Sequence, residues 1–178
     1  MRNSILILAL FFAVFAVGCD DGDSSSSSSA SPTADATSDT TAAGGSYCQQ
    51  NPVTEAKQFC ASLIVPDGIT EPVEKVSVHF FSSFPPTGPP SFMGIELMSA
   101  DDLAPFVAGA EVPVVIENLP SSGEGHLMAV IYMPGGGALT WVSVSGVDYE
   151  GAALGGAVIP FTGEPINIDE PIVLNLVP

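Results

Sequence analysis

Positive charge is nearly missing from this sequence: 3 Lys and Arg residues stand against 20 Asp and Glu, for a formal net charge of −17. Proteins bind nucleic acid by neutralising phosphates with Lys and Arg, so DNA and RNA are excluded as partners. Adhesion to an anionic lipid surface is excluded on the same ground. Histidine is almost as scarce. The 2 histidines, His79 and His126, belong to no H-E-x-x-H pattern, and no serine sits in a G-x-S-x-G elbow. Gly123-Glu124-Gly125 lacks the third glycine of a dinucleotide loop and leads into a strand-like segment, which makes it a turn. The 3 cysteines, Cys19, Cys48 and Cys60, are too few for a metal centre and form no C-x-x-C pair. The residues therefore assign no catalytic group, no cofactor and no metal. Long apolar runs are lacking too: a spanning helix needs about 20 residues, and the run Ile5 to Val17 has 13.

That run has the shape of a signal-peptide core, with Arg2 before it and small residues after it. Its end, Ala16-Val17-Gly18-Cys19, resembles a bacterial lipoprotein box, in which lipid is attached to the cysteine and the chain is cut just before it. The resemblance implies a mature chain that starts at Cys19 and is held in an envelope membrane by palmitate-type acyl chains. Ala16-x-Gly18 is also a site for the ordinary secretory peptidase, and both cuts precede Cys19. Cysteine arithmetic separates the two, because an exported chain with three cysteines leaves one over. Lipid on Cys19 accounts for it and leaves Cys48 and Cys60 as a natural disulfide pair. The competing reading is two free thiols, with Cys60 buried as a small apolar residue. Asp20 resembles the inner-membrane retention signal of enterobacterial lipoproteins, a rule that other lineages do not share, so the choice of membrane stays open.

Residues 20–46 contain no aromatic or large aliphatic side chain and are dominated by Ser, Asp, Thr and Ala. Such a stretch cannot bury enough surface to offset its ordering entropy, and it reads as a disordered tether with a root-mean-square span of about 30 Å. The expected organisation is a signal peptide over 1–18, a lipidated cysteine and tether over 19–46, and one domain over 47–178.

In that domain short apolar runs alternate with turn residues, the pattern of an all-β sandwich. Strands are expected over Phe59 to Val65, Val76 to Phe80, Val112 to Glu117, Leu127 to Met133, Trp141 to Ser145, Gly155 to Phe161 and Ile172 to Val177. Val76, Val78 and Phe80 point inward, Ser77 and His79 outward to solvent. Pro113 favours a strand start or a sheet edge. Leu127 to Met133 is apolar on both faces and reads as a central strand, followed by a flexible Pro134-Gly135-Gly136-Gly137 hairpin. Helix is limited to about two turns at Val53 to Phe59 and one turn capped by Ser99.

The order FCASLIVPDG, VSVHFF, then ENLPSSGEGHLMAVIYM, with Leu119-Pro120 before Gly125 to Met133, resembles a transthyretin-like or carboxypeptidase-regulatory-like sandwich. GVDYEG and FTGEPINIDEPIVLNLV are similar to the closing strands of bacterial envelope lipoproteins with this fold. The resemblance implies a Greek-key, prealbumin-like sandwich of seven or eight strands serving as a non-catalytic module.

Three carboxylate pairs, Asp101-Asp102, Asp148 with Glu150, and Asp169-Glu170, have the chemistry for calcium but no D-x-D-x-D-G loop, and read as turn caps and solvated groups. Phe84-Pro85-Pro86-Thr87-Gly88-Pro89-Pro90, flanked by Phe81 and Phe92, is a candidate docking loop, since stiff prolines lose little entropy on binding. The plainer reading is a rigid connection with its phenylalanines tucked into the sandwich end. The expected function is a lipid-anchored, non-catalytic envelope protein displaying a binding or structural module to an envelope protein or glycan. The alternative is a metal-dependent carbohydrate-binding or hydrolytic sandwich.

Overall fold

Alternation builds the sandwich, as the sequence leads one to expect. Val76, Val78 and Phe80 face one side of a strand, and Val112, Val114 and Ile116 one side of another, and all six are buried in a common core. The computed structural model describes residues 45–140 and 142–178; the signal run, Cys19, most of the tether and Trp141 lie outside the described residues. Ten strands are described: β1 (Phe59–Ile64), β2 (Lys75–Phe81), β3 (Phe92–Leu97), β4 (Glu111–Ile116), β5 (Gly123–Tyr132), β6 (Tyr149–Ala152), β7 (Ile159–Phe161), β8 (Ile166–Asn167), β9 (Ile172–Val173) and β10 (Asn175–Leu176). Two four-residue helices accompany them, α1 (Tyr47–Gln50) and α2 (Ala100–Leu103). The fold is an all-β sandwich.

One sheet runs β4-β1-β8, with β9 also on β1; the other runs β10-β6-β5-β2-β3, with β7 on β5. β5 lies between β2 and β6 and is buried on both faces over most of its length, which explains its continuous apolar run. β4 is an edge strand, where the missing N–H of Pro113 breaks no ladder. Phe80 sits at the centre of the core, edge-on to Phe59 at 5.4 Å and to Phe161 at 4.9 Å between ring centroids.

Several expected elements differ. Ile172 to Val177 is two strands, not one: β9 pairs in parallel with β1, Leu174 turns into the core, and β10 crosses to pair with β6. Gly151 permits this crossing, since a Cβ there would collide with the Val173 carbonyl. Residues 153–156 form a 3-10 turn, with positive φ at Leu154, Gly155 and Gly156, so the expected strand shortens to β7. Residues 142–145 form no strand, because Val144 N–H is drawn to Asp148 instead of a neighbouring strand. The helix expected at Val53 to Phe59 is absent: Val53 bonds through both backbone groups to the Asn167 side chain, at 2.8 and 3.0 Å, and Lys57 takes a positive φ. β3 was not expected at all. Its alternation is broken by a bulge, where Met93 and Gly94 together oppose the single residue His79.

Residues 46–58 cover the outer face of β1. Ser46 caps α1, Tyr47 N–H donates to Glu111 Oε1 at 2.9 Å, and Cys48 and Cys60 form a disulfide with Cα atoms 5.8 Å apart. Among the described residues no helix is long and apolar enough to cross a membrane.

Candidate functional site

The outer face of the second sheet carries what β2, β3, β5 and β6 do not send inward. Their register sets Glu96, Ser77, Val130 and Glu150 in one row across the sheet, with His79 opposite Met128 in the next. Two long connections cover this face. One is the proline loop between β2 and β3; the other is residues 133–148 between β5 and β6. They leave between them a groove of about 930 Å³, floored by Met128 and Val130 and walled by Phe84 and Pro86 on one side and Leu139 and Val142 on the other.

Each wall has its own support. In the proline loop, Ser83 Oγ donates to the Pro85 carbonyl at 3.3 Å and lies 3.1 Å from Thr87 Oγ1. The Phe84 ring stacks on His126 with centroids 6.3 Å apart, and His126 Nδ1 lies 2.8 Å from the Gly156 carbonyl. A Cβ at Gly156 would strike that ring, so the small residue makes room for it. The second wall hangs on Asp148. Its fully buried carboxylate accepts backbone N–H groups from Met133 at 3.0 Å, Gly137 at 2.8 Å and Val144 at 2.8 Å. The glycine run is thus pinned by Asp148 rather than forming a loose hairpin. Gly136 must be glycine, since a Cβ would occupy the Asp148 carboxylate.

Of the candidate docking residues, Phe84, Pro85, Pro86 and Pro89 line the groove, and Pro90 does not. Phe84 is 44 % exposed, whereas Phe81 is buried and Phe92 half-buried. Two phenylalanines at the loop are thus tucked in and one is presented. Leu139 and Val142, at 96 % and 70 % exposure, form a wall that sequence reasoning missed.

His79 is a correction. It was expected on a solvated face and is 2 % exposed, and its ring is engaged by Gly94 and Glu96 of β3, the strand that was not expected. The Gly94 N–H, freed from the ladder by the bulge, donates to His79 Nδ1 at 3.1 Å, so that nitrogen is unprotonated. His79 Nε2 faces Glu96 Oε1 at 3.8 Å. Burial holds the imidazole below its ordinary pKa; Glu96 acts in the opposite direction and Lys75 in the same one. Beside it, Lys75 Nζ bonds Glu96 Oε1 at 2.6 Å and the Ala138 carbonyl at 3.3 Å, and lies 5.6 Å from the centroid of the Tyr132 ring. Burial raises the Tyr132 pKa, while Ser77, which donates to its hydroxyl at 3.5 Å, works against that shift. With the exposed Glu96, these buried polar groups tie β2, β3 and the 133–148 loop together, and none of them lines the groove.

The carboxylate pairs are dispersed. Asp102 forms the reciprocal cap of α2 with Ser99, Asp169 and Glu170 are exposed, and Asp148 is saturated by backbone. Glu150 does reach the groove, where its Oε2 accepts from Ser143 Oγ at 2.8 Å. Among the described residues no three His, Cys, Asp or Glu side chains gather where they could hold a metal ion. The lipidation candidate Cys19 lies outside the described residues. No family model, curated protein or solved structure matches this chain.

Proposed function

We propose that this chain is a lipid-anchored envelope protein whose sandwich is a non-catalytic binding module, displayed on a tether from acyl chains on Cys19. A single observation supports the binding role most strongly: the groove of about 930 Å³ over Met128 and Val130, with two independently braced loops for walls. Clefts of this size with apolar linings and a few polar groups are where proteins take ligands. The anchor rests on Ala16-Val17-Gly18-Cys19 and on the cysteine count, in which Cys48 and Cys60 are paired and Cys19 is the remaining one. The transthyretin-like ancestry and Greek-key connectivity belong to the same proposal, as does an envelope protein or glycan as the larger partner.

The test is metabolic labelling with radioactive palmitate in a Gram-negative host. The wild-type chain is expected to take up label and partition into detergent, and Cys19→Ser to abolish both. A soluble, unlabelled wild-type product contradicts the anchor.

A further inference from the structure

We infer that the groove is a binding site for a small ligand with an apolar, aromatic-sized body and one protonated amine, the amine being read by Glu150. This goes beyond the display reading, which assigns the groove no ligand.

The lining argues the body. Phe84, Pro86, Met128, Val130, Leu139 and Val142 offer carbon surface, interrupted by Thr87, Thr140 and Ser143, so the larger part of the lining suits an apolar body. The volume of about 930 Å³ accommodates a drug-sized molecule.

Charge argues the head. Among the described residues Glu150 is the sole charged one that lines the groove, and no described Lys, Arg or His lines it. Neither lysine of the described residues lines the groove, and Lys75 is buried with its charge paired to Glu96. An anionic head such as a fatty-acid carboxylate would meet Glu150 and a chain of net charge −17 with nothing to compensate it. A protonated amine meets a half-buried carboxylate with one of its oxygens held by Ser143 Oγ and the other, Oε1, left to receive it.

Three probes share one body and differ in charge: phenylbutylamine, phenylbutanol and phenylbutyrate. Each is titrated into the full chain at physiological ionic strength, and the intrinsic fluorescence of the single tryptophan, Trp141, whose sequence neighbours Thr140 and Val142 both line the groove, is followed together with ligand-observed NMR. The amine is expected to bind about tenfold more tightly than the acid, with the alcohol between them. Glu150→Gln, which keeps an acceptor for Ser143, is expected to bring the amine to the level of the alcohol and leave the alcohol unchanged. Glu170→Gln, an exposed carboxylate outside the lining, is expected to change none of them. Phe84→Ala is expected to weaken all three, and thermal melts confirm that each variant is folded.

An amine preference that survives Glu150→Gln would overturn the inference, because the field of the whole chain would then be its source. Equal binding of the three probes would overturn the role of Glu150. Absence of any binding, or binding indifferent to Phe84→Ala, would overturn the site itself. None of these outcomes touches the acyl anchor, which stands or falls on palmitate labelling.

Discussion

The two outer faces of the sandwich meet the same requirement in different ways. On the first sheet, residues 46–58 lie against β1 and are fastened to it by the Cys48–Cys60 disulfide, which leaves Cys60 and Ser62 fully buried. On the second sheet, long loops arch over β2 and β5 and are held without a covalent link, through Asp148 and the Lys75–Ala138 bond in one and through the Ser83 contacts and the Phe84 stacking on His126 in the other. A covalent clamp beside the strand closes a face. Loops held by hydrogen bonds and ring stacking cover a face without filling it, and the groove is what remains.

The largest expected effect comes from unfastening the second cover. Asp148→Ala leaves two buried backbone N–H groups, at Met133 and Gly137, and a partly buried one at Val144 without their acceptor, and should cost about 4 kcal/mol in urea unfolding. Asp148→Asn, which retains an acceptor oxygen, should cost less. A loss below about 1 kcal/mol would mean that the loop is held by something other than the carboxylate. Next is the first cover. Joint replacement of Cys48 and Cys60 by alanine, with a sequence separation of 12, should cost about 3 kcal/mol and expose residues 49–58 to protease. Unchanged stability would remove the contrast between a locked face and a braced one.

A smaller effect is expected from pH. Burial lowers the His79 pKa, so the folded state resists a proton that the unfolded chain accepts near pH 6.5. The unfolded state then binds more protons, and stability falls as pH drops below about 6.5, continuing until the folded-state value is passed. Above that range the contribution is constant. His79→Asn offers an oxygen to the Gly94 N–H and does not titrate, so it should flatten this part of the profile relative to wild type. An identical slope in the variant would place the sensitivity elsewhere. Phe84→Ala should shift the melting temperature least among the substitutions, because the ring is already half in water. Chelation should leave the melting temperature unaltered, and a drop of many degrees would revive the metal-dependent alternative.

What was legible in the sequence follows the same division. Inward faces were readable wherever a period of two persisted, as at Val76, Val78 and Phe80 or Val112, Val114 and Ile116. The continuous apolar run of β5 revealed a strand covered on both faces. Ser99 announced its turn, and cysteine counting led to the disulfide. What was lost depended on long-range cover or on broken period. Ser77 and His79 read as solvated because no local pattern shows that Ala138 will pack nearby and accept from Lys75. FMGIEL hid β3 because the bulge at Met93 and Gly94 spoils the alternation. The closing Ile172 to Val177 looked like one strand because a change of sheet at Leu174 leaves no mark on composition. The candidate site was half legible: the proline wall carried its own signal, whereas the opposite wall depends on Asp148, whose reach to Met133 and Gly137 spans residues that no turn motif connects.

The account turns on one face being locked and the other being braced open independently, and hydrogen exchange measured residue by residue before and after reduction tests this most directly. Reduction is expected to accelerate exchange over residues 46–58, at the amides of Gln49 and Asn51 among others, while Met133, Gly137 and Val144 keep their protection through Asp148. If reduction instead released 46–58 and 133–148 together, the two covers would be one cooperative unit, and the groove would not be an independently braced site.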